Sequence, residues 1–143
     1  MLLVDANVLL HAVNTRSREH DAASAFLATA LAGTEAVAFA WTVVLAFLRL
    51  STHPAVFPKP LTSSRAGEVC EAWLGAPPAV TLEPTRRHLP LLRGLLEHAG
   101  TAGNPVGDAH LAALGLEHGA TVVSFDRDFA RFEGIALRRP GSA

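Results

Sequence analysis

The chain has 143 residues, of which 50% are hydrophobic, so it is long enough to form one domain with a buried core. Its formal net charge of -1 excludes an overall positive field that would attract nucleic acid, so RNA contact would need local arginines or metal ions. The single cysteine, Cys70, excludes an internal disulfide and a thiolate zinc site, and its helical surroundings predict a buried structural thiol.

The first half of the chain alternates apolar, strand-like runs with segments of helical spacing. Asp5 ends the first apolar run, and Asn7 is placed to cap the helix that follows or to orient a carboxylate. The sequence predicts, in order, a strand at Leu2–Val4, a short helix to about Val13, a helix at His20–Ala32, a strand at Ala36–Ala40 and a helix at Trp41–Leu50. The last helix is apolar almost all round, so we expect it to be buried, with Trp41 and Phe47 in the core.

The second half continues this alternation. Thr62, Ser63 and Ser64 are candidate caps for a helix that ends near Leu74. The later predicted elements are a strand at Ala79–Leu82, helices at Thr85–Ala99 and Asp108–His118, a strand at Thr121–Phe125, a tight turn or short helix at Asp126–Phe132 and a strand at Ile135–Leu137. Strands that alternate with helices in this way indicate an α/β fold whose parallel sheet is covered on both faces.

Four aspartates lie where such sheets place their sites, beyond the carboxyl ends of the strands. Asp5 follows the first strand, Asp126 and Asp128 follow the fourth, and Asp108 begins the helix that leads into the fourth. If the first and fourth strands are neighbours, the four carboxylates converge. Clustered carboxylates repel unless a cation holds them, and hard oxygen ligands select Mg²⁺ or Mn²⁺ over zinc. Phosphodiester hydrolysis is the chemistry that such a centre supports.

Each acid also has a purely structural interpretation. Asp5 can cap the helix after it, and Asp108 suits the positive end of a helix dipole. Asp126 and Asp128 can form an Asx turn. For Asp108 alone, and for the Asp126–Asp128 turn alone, the structural interpretation is favoured, and only the joint placement of all four acids points to a metal site.

An arginine and a histidine lie close to these acids in the sequence. Arg127 lies between two candidate ligands and is therefore the arginine best placed to bind a phosphate of the substrate. The other arginines, Arg131 included, are interpreted as solvated surface. His110 lies two residues from Asp108 on the predicted helix, so the two side chains point to different faces, and His110 is interpreted as structural or surface.

Four segments of the chain, taken in order, resemble the conserved blocks of a known family. They are Leu3–Leu10 (LVDANVLL), Trp41–Pro54 (WTVVLAFLRLSTHP), Gly103–Leu114 (GNPVGDAHLAAL) and Ser124–Phe132 (SFDRDFARF). They are similar to those of the PIN domains, specifically the VapC-like toxins, and the match covers nearly the whole chain. The resemblance implies a three-layer α/β/α sandwich with a central, mostly parallel sheet, formed as a single domain over residues 1–143.

The resemblance also implies a function and its partners. By position, Asp5, Asp108 and Asp126 fall on the metal-binding, catalytic acids of a Mg²⁺- or Mn²⁺-dependent ribonuclease, and Asp128 falls on a neighbouring acid that is often present and can contribute. The implied function is that of an endoribonuclease toxin whose substrate is RNA. Family members are typically homodimers held inactive by a cognate, VapB-like antitoxin.

One position departs from the family pattern. Many members carry a glutamate where Ala46 stands, and its loss removes one negative charge from the centre. The one-metal and two-metal mechanisms therefore both stay open, as does a second hypothesis, a catalytically weak PIN-like domain that binds RNA or a partner. A phosphoacceptor receiver domain is set aside, because Ala6 follows Asp5 where a second acid is needed and the only lysine is Lys59.

The apolar segments and the first residues bear on cellular location. Residues 1–7 lack a basic leader followed by an apolar stretch and a cleavage site. Charges or turn residues interrupt every apolar run before it reaches the length of a membrane span. We therefore expect a cytoplasmic protein with no membrane partner.

Overall fold

A computed structural model of the protein describes residues 1–100 and 105–142. Its strands are β1 (Leu2–Val4), β2 (Val37–Phe39), β3 (Ala79–Thr81), β4 (Thr121–Val123) and β5 (Ala136–Arg138). Its helices are α1 (Ala6–Val13), α2 (His20–Ala32), α3 (Trp41–Ser51), α4 (Ser63–Leu74), α5 (His88–Ala99) and α6 (Val106–His118), followed by a 3₁₀ helix at Arg127–Arg131. The segment Gly103–Asn104 of the third family-like block lies outside the described residues.

The five strands form one parallel sheet in the order β3-β2-β1-β4-β5. The strand order reverses between β1 and β4, which pair in the register Leu2 with Thr121 and Val4 with Val123. The carboxyl ends of these two strands therefore meet at the switch point, where parallel α/β sheets place their ligand sites. The predicted α/β class is confirmed, and so is the neighbourhood of the first and fourth strands on which the acidic centre depends.

The burial of the strands follows their place in the sheet. β1 and β2 are buried along their whole length, whereas the edge strands β3 and β5 are largely exposed. Helix α6 packs closely on β4, since a Cβ added at Gly115 would come within 3.1 Å of Val122 Cγ2. Gly119, with φ of 64°, ends α6 in the left-handed conformation and lets the chain enter β4 two residues later. Because the connection is short and α6 packs on β4, the helix runs back along the strand, and its first turn lies near the end of β4.

Two sequence-based predictions about helices are wrong. Asn7 does not cap α1, because Asp5 is the N-cap residue and its Oδ1 accepts a hydrogen bond from the Ala6 amide at 2.7 Å. Helix α3 is not buried on every face: Trp41 and Leu45, one turn apart, are 49% and 57% exposed, while Phe47 is fully buried as predicted. Helix α3 packs mainly on α1 and α4, and these contacts leave Trp41 and Leu45 open to solvent.

The remaining differences concern the ends of helices. Helix α5 begins at His88 instead of Thr85, because the Thr85 hydroxyl forms a turn in which it accepts a hydrogen bond from the Arg87 amide at 3.1 Å. Helix α6 begins at Val106, so Asp108 lies inside its first turn. Cys70 is buried in α4, as predicted. Within residues 1–100 and 105–142, no helix combines the length and the apolar character that a membrane crossing requires.

Candidate active site

The predicted acids lie at the carboxyl ends of β1 and β4. Asp5 directly follows β1, Asp126 and Asp128 follow β4, and Asp108 is in the first turn of α6, the helix that packs on β4. Burial is the main cause that raises the pKa of Asp108 above its ordinary value, and the carboxylates of Asp5, Asp126 and Asp128 raise it further. The structure therefore brings Asp5, Asp126 and Asp128 within electrostatic reach of Asp108.

Asp5 is more deeply buried than Asp108. Burial raises the pKa of Asp5, while hydrogen bonds from the Ser124 hydroxyl and the Ala6 amide lower it, and the charge of Asp126 raises it. The Ser124 hydroxyl donates to Asp5 Oδ2 at 2.7 Å, and the Ala6 amide donates to Asp5 Oδ1 at 2.7 Å. The Asp5 carboxylate is therefore held in one orientation, and each oxygen keeps a further lone pair for a cation.

The Ser124 hydroxyl is the hub of a hydrogen-bond network between β1 and β4. Besides donating to Asp5, it accepts from Asn7 Nδ2 at 2.9 Å and from the Asp126 amide at 3.0 Å. Asn7 Oδ1 accepts from the Phe125 amide at 3.2 Å. Sequence reasoning missed the positioning role of Ser124, although a serine directly after an apolar strand was a visible signal, whereas a positioning role for Asn7 was one of its two predicted uses.

The structural interpretations of the acids are also correct. Asp5 caps α1, and Asp126 Oδ1 accepts from the Asp128 amide at 2.8 Å, as in an Asx turn. Asp108 makes no side-chain cap, because the N-cap position of α6 is Pro105, but it lies in the first turn of α6, at the positive end of the helix dipole. Capping and metal binding are compatible uses of one carboxylate, since a cap occupies only one of its lone pairs.

Arg131 is a site residue that the sequence analysis wrongly assigned to the solvated surface. Its Nη2 lies 3.6 Å from Asp108 Oδ2, and its side chain is only 27% exposed. Its guanidinium stacks over the Phe132 ring at 5.0 Å. No local pattern predicts this contact, because Arg131 faces Asp108 only once the 3₁₀ helix is folded against α6. Arg127 is exposed, and its role as a phosphate ligand stays a prediction.

The donor set fits Mg²⁺ or Mn²⁺ in its chemistry, since it consists of carboxylate oxygens alone. In residues 1–100 and 105–142, however, no three His, Cys, Asp or Glu side chains stand close enough together to share a metal ion. The acids are turned instead to protein donors: Asp5 to Ser124, Asp126 to the Asp128 amide and Asp108 to Arg131. Binding a cation between these acids would therefore require the Asp108 side chain to turn away from Arg131.

Ala46 lies in the second turn of α3, which begins at the carboxyl end of β2, next to β1. Its side chain is half-buried and adds no charge to this end of the sheet. A cleft of about 630 Å³ lies elsewhere, between α2 and the C-terminal segment beside Phe26 and Arg138, and none of the four acids lines it. The four acids therefore lie at the rim of the sheet, outside this cleft.

His110 has the structural role that was predicted for it. Its Nδ1 lies 2.8 Å from His88 Nε2, and His88 Nδ1 lies 3.2 Å from Glu117 Oε1. The Glu117 side chain is fully buried and also accepts from the Thr85 amide at 3.2 Å. Burial and the neighbouring His88 lower the pKa of His110. This network joins α5 to α6.

Comparison with known proteins gives a consistent family. A sequence profile described as PIN domain matches residues 2–135. The chain is 49% identical over 140 residues to Ribonuclease VapC37 of Mycobacterium tuberculosis, which covers 98% of this chain and 97% of that protein. It is 38% identical over 140 residues to Ribonuclease VapC43 of the same organism, with 98% and 95% covered.

Solved structures share the fold. VapBC2 from Rickettsia felis, bound to a DNA fragment from its promoter, has a TM-score of 0.72 at 15% identity and covers 97% of this chain and 98% of that one. VapC20 from Mycobacterium tuberculosis, described as a Sarcin-Ricin loop cleaving toxin, has a TM-score of 0.72 at 18% identity and covers 98% and 100%. At such identities the likeness is one of fold.

Proposed function

The chain belongs to the PIN-domain family, and from that premise we propose that it is a metal-dependent endoribonuclease acting as the toxin of a toxin–antitoxin pair. The observation that carries the proposal is the convergence of Asp5, Asp108 and Asp126 where β1 and β4 end side by side. Its relatives at 49% and 38% identity over nearly the whole chain are named ribonucleases. Such a toxin would act on RNA in the cytoplasm.

The roles of the residues follow from their placement. Asp5, Asp108 and Asp126 would hold Mg²⁺ or Mn²⁺, with Asp128 at the rim. A bound ion supplies positive charge for phosphate oxygens and lowers the pKa of a coordinated water, which is what hydrolysis of a phosphodiester needs. Ser124 and the Ala6 amide fix the Asp5 carboxylate, so that it is preorganised before substrate arrives.

The test is cleavage of labelled RNA, single-stranded and in hairpin loops, by the purified protein in Mn²⁺ or Mg²⁺. We expect cleavage that EDTA stops and that Asp5→Asn abolishes. Asp21→Asn is the matched control, because Asp21 is an exposed aspartate in the first turn of α2, outside the centre. Cleavage that persists in EDTA, or in Asp5→Asn, would contradict the metal mechanism.

A second candidate function is a PIN-like domain that binds RNA or a partner without useful cleavage. Ala46 favours it, because the centre lacks an acid that many family members carry at this position. In that case the wild-type protein would bind labelled RNA in Mn²⁺ and leave it intact over long incubation. The cleavage assay therefore separates the two candidates.

We also propose a homodimer and a VapB-like antitoxin as partners. The supporting observation is the exposed pair Trp41 and Leu45 on the outer side of α3, where large apolar side chains meet solvent. Light scattering across a concentration series, and co-purification with the product of an adjacent antitoxin gene, test these partners. A monomer at high concentration that retains no such protein would count against both.

A further inference from the structure

Two arginines flank the acidic centre, and they differ in how fully their donors are used. Arg139 donates from Nη2 to Glu19 Oε1 at 2.7 Å and from Nη1 to the Phe125 carbonyl at 2.8 Å, while its guanidinium stacks over the Phe125 ring at 4.9 Å. These contacts tie the C-terminal segment to α2 and to the end of β4. Arg139 is thus a structural arginine whose charge and donors are largely occupied.

Like Arg139, Arg131 stacks on a phenylalanine ring, but it forms fewer hydrogen bonds and ion pairs. Its only ion pair among the described residues is the 3.6 Å approach of Nη2 to Asp108 Oδ2, too long for a good hydrogen bond. Its Nε is buried, and no acceptor within residues 1–100 and 105–142 reaches it. Stacking on Phe132 holds the guanidinium at the edge of the acids without consuming its donors.

Such a guanidinium is suited to bind a further anion. A carboxylate site that takes up a divalent cation no longer needs a protein cation beside it, and the Arg131 fork would then be free to pair with another group. A phosphodiester is the anion of matching geometry, because a guanidinium can donate to two of its oxygens at once. The substrate of the proposed function brings that group to the rim where Arg131 lies.

We propose that Arg131 is a phosphate-binding residue of the acidic centre, held by Asp108 until a divalent cation and RNA replace that contact. This inference rests on the proposed ribonuclease function and adds a substrate-binding residue to it. Arg131 differs in its burial from Arg127, which lies on the same 3₁₀ helix but is exposed. A single charged phosphate contact contributes to affinity for any RNA sequence, so Arg131 should affect binding without setting sequence preference.

The test compares Arg131→Gln with wild type in binding fluorescein-labelled single-stranded RNA by anisotropy in Ca²⁺, with the RNA checked for integrity on a gel. We expect the Kd to rise about tenfold, the usual effect of one lost charge-assisted contact. The dependence of log Kd on log salt concentration should become shallower by about 0.7, since one fewer phosphate is neutralised. A matched control is Arg138→Gln, because Arg138 is an exposed arginine stacked over Phe26 at 5.4 Å, away from the acids.

A second readout shows whether Arg131 merely supports the fold. Arg131→Gln should bind Mn²⁺ at least as tightly as wild type, as judged by calorimetry, because a positive charge beside the acids has been removed. Weaker Mn²⁺ binding together with a lower melting temperature would indicate a structural arginine and overturn the proposal. So would a Kd and a salt slope equal to those of wild type.

These outcomes are distinct from failure of the proposed function. If wild type cleaves RNA and Arg131→Gln binds it as well as Arg138→Gln does, the assignment of Arg131 is wrong and the ribonuclease proposal stands. If wild type neither binds nor cleaves RNA, the ribonuclease proposal falls, and the role of Arg131 falls with it.

Discussion

Removal of the Ser124 hydroxyl tests how the centre is held together. The side chain is 2% exposed and joins Asp5, Asn7 and the Asp126 amide through one oxygen. Ser124→Ala leaves all three groups without that partner. A hydrogen bond to a charged group contributes roughly 1.5–3 kcal/mol and a neutral one about 1 kcal/mol.

The net loss is smaller than the sum of these bonds. Asp5, Asn7 and Asp126 are only half-buried, so water can replace part of what each group loses. We expect the free energy of unfolding to fall by about 2 kcal/mol, which for a chain of this size lowers the melting temperature by roughly 6 °C. Because the lost bond favoured the ionised form, the pKa of Asp5 should rise further, and Mn²⁺ should bind more weakly at mildly acidic pH than it does to wild type.

Ser51→Ala provides the matched control. Ser51 is fully buried, and its Oγ has no hydrogen-bond partner in the part of the chain that the structure describes. The same chemical change at Ser51 should leave the melting temperature unchanged or raise it, because an unsatisfied buried hydroxyl is removed. Thermal melts of both variants, with Mn²⁺ titrations from pH 5 to pH 8, measure the effects. Equal melting temperatures for the two variants would refute the network argument.

Four further predictions concern charge. Burial and neighbouring acids raise the folded pKa of Asp108, so the ionised side chain lowers the stability of the fold above that pKa. Without metal, Asp108→Asn should therefore have a higher melting temperature than wild type at pH 7. This difference in melting temperature should disappear below pH 4. Mn²⁺ at about 100 times its Kd should stabilise wild type by roughly 2.7 kcal/mol but not Asp108→Asn, and a metal response equal in both would contradict the ligand assignment. If residue 46 faces the acidic centre, Ala46→Glu should keep the fold and lower the Mn²⁺ concentration needed for cleavage. A lower melting temperature that Mn²⁺ does not restore would refute that placement, because an unpaired buried carboxylate destabilises a core. Glu117→Ala leaves His88 and Thr85 without their hydrogen-bond acceptor. Chemical denaturation should show a free energy of unfolding lower by about 2–3 kcal/mol, while Mn²⁺ affinity stays unchanged.

The sequence by itself determined the order and type of the main elements. Short apolar runs such as Leu2–Val4 are bounded by charged or turn residues, and helical spacing over His20–Ala32 ends at a glycine, so local pattern alone sets these elements. Asp5 and Asp108 could be identified as candidate site residues for the same reason, since Asp5 follows the first predicted strand and Asp108 begins a predicted helix. Trp41 was misplaced because an apolar helix does not reveal which of its sides meets a neighbour.

Only the tertiary structure decided which residues meet across the chain. Ser124 and Asp5 are 119 residues apart, and Arg131 reaches Asp108 from a different element. Such contacts depend on the neighbourhood of β1 and β4 and on the close approach of α6 to β4 at Gly115, and neither leaves a periodic signal in the sequence. Hydrogen bonds and ion pairs act over a few ångströms in space, so a hydroxyl or guanidinium acquires its role only when the sheet order brings its partner within reach.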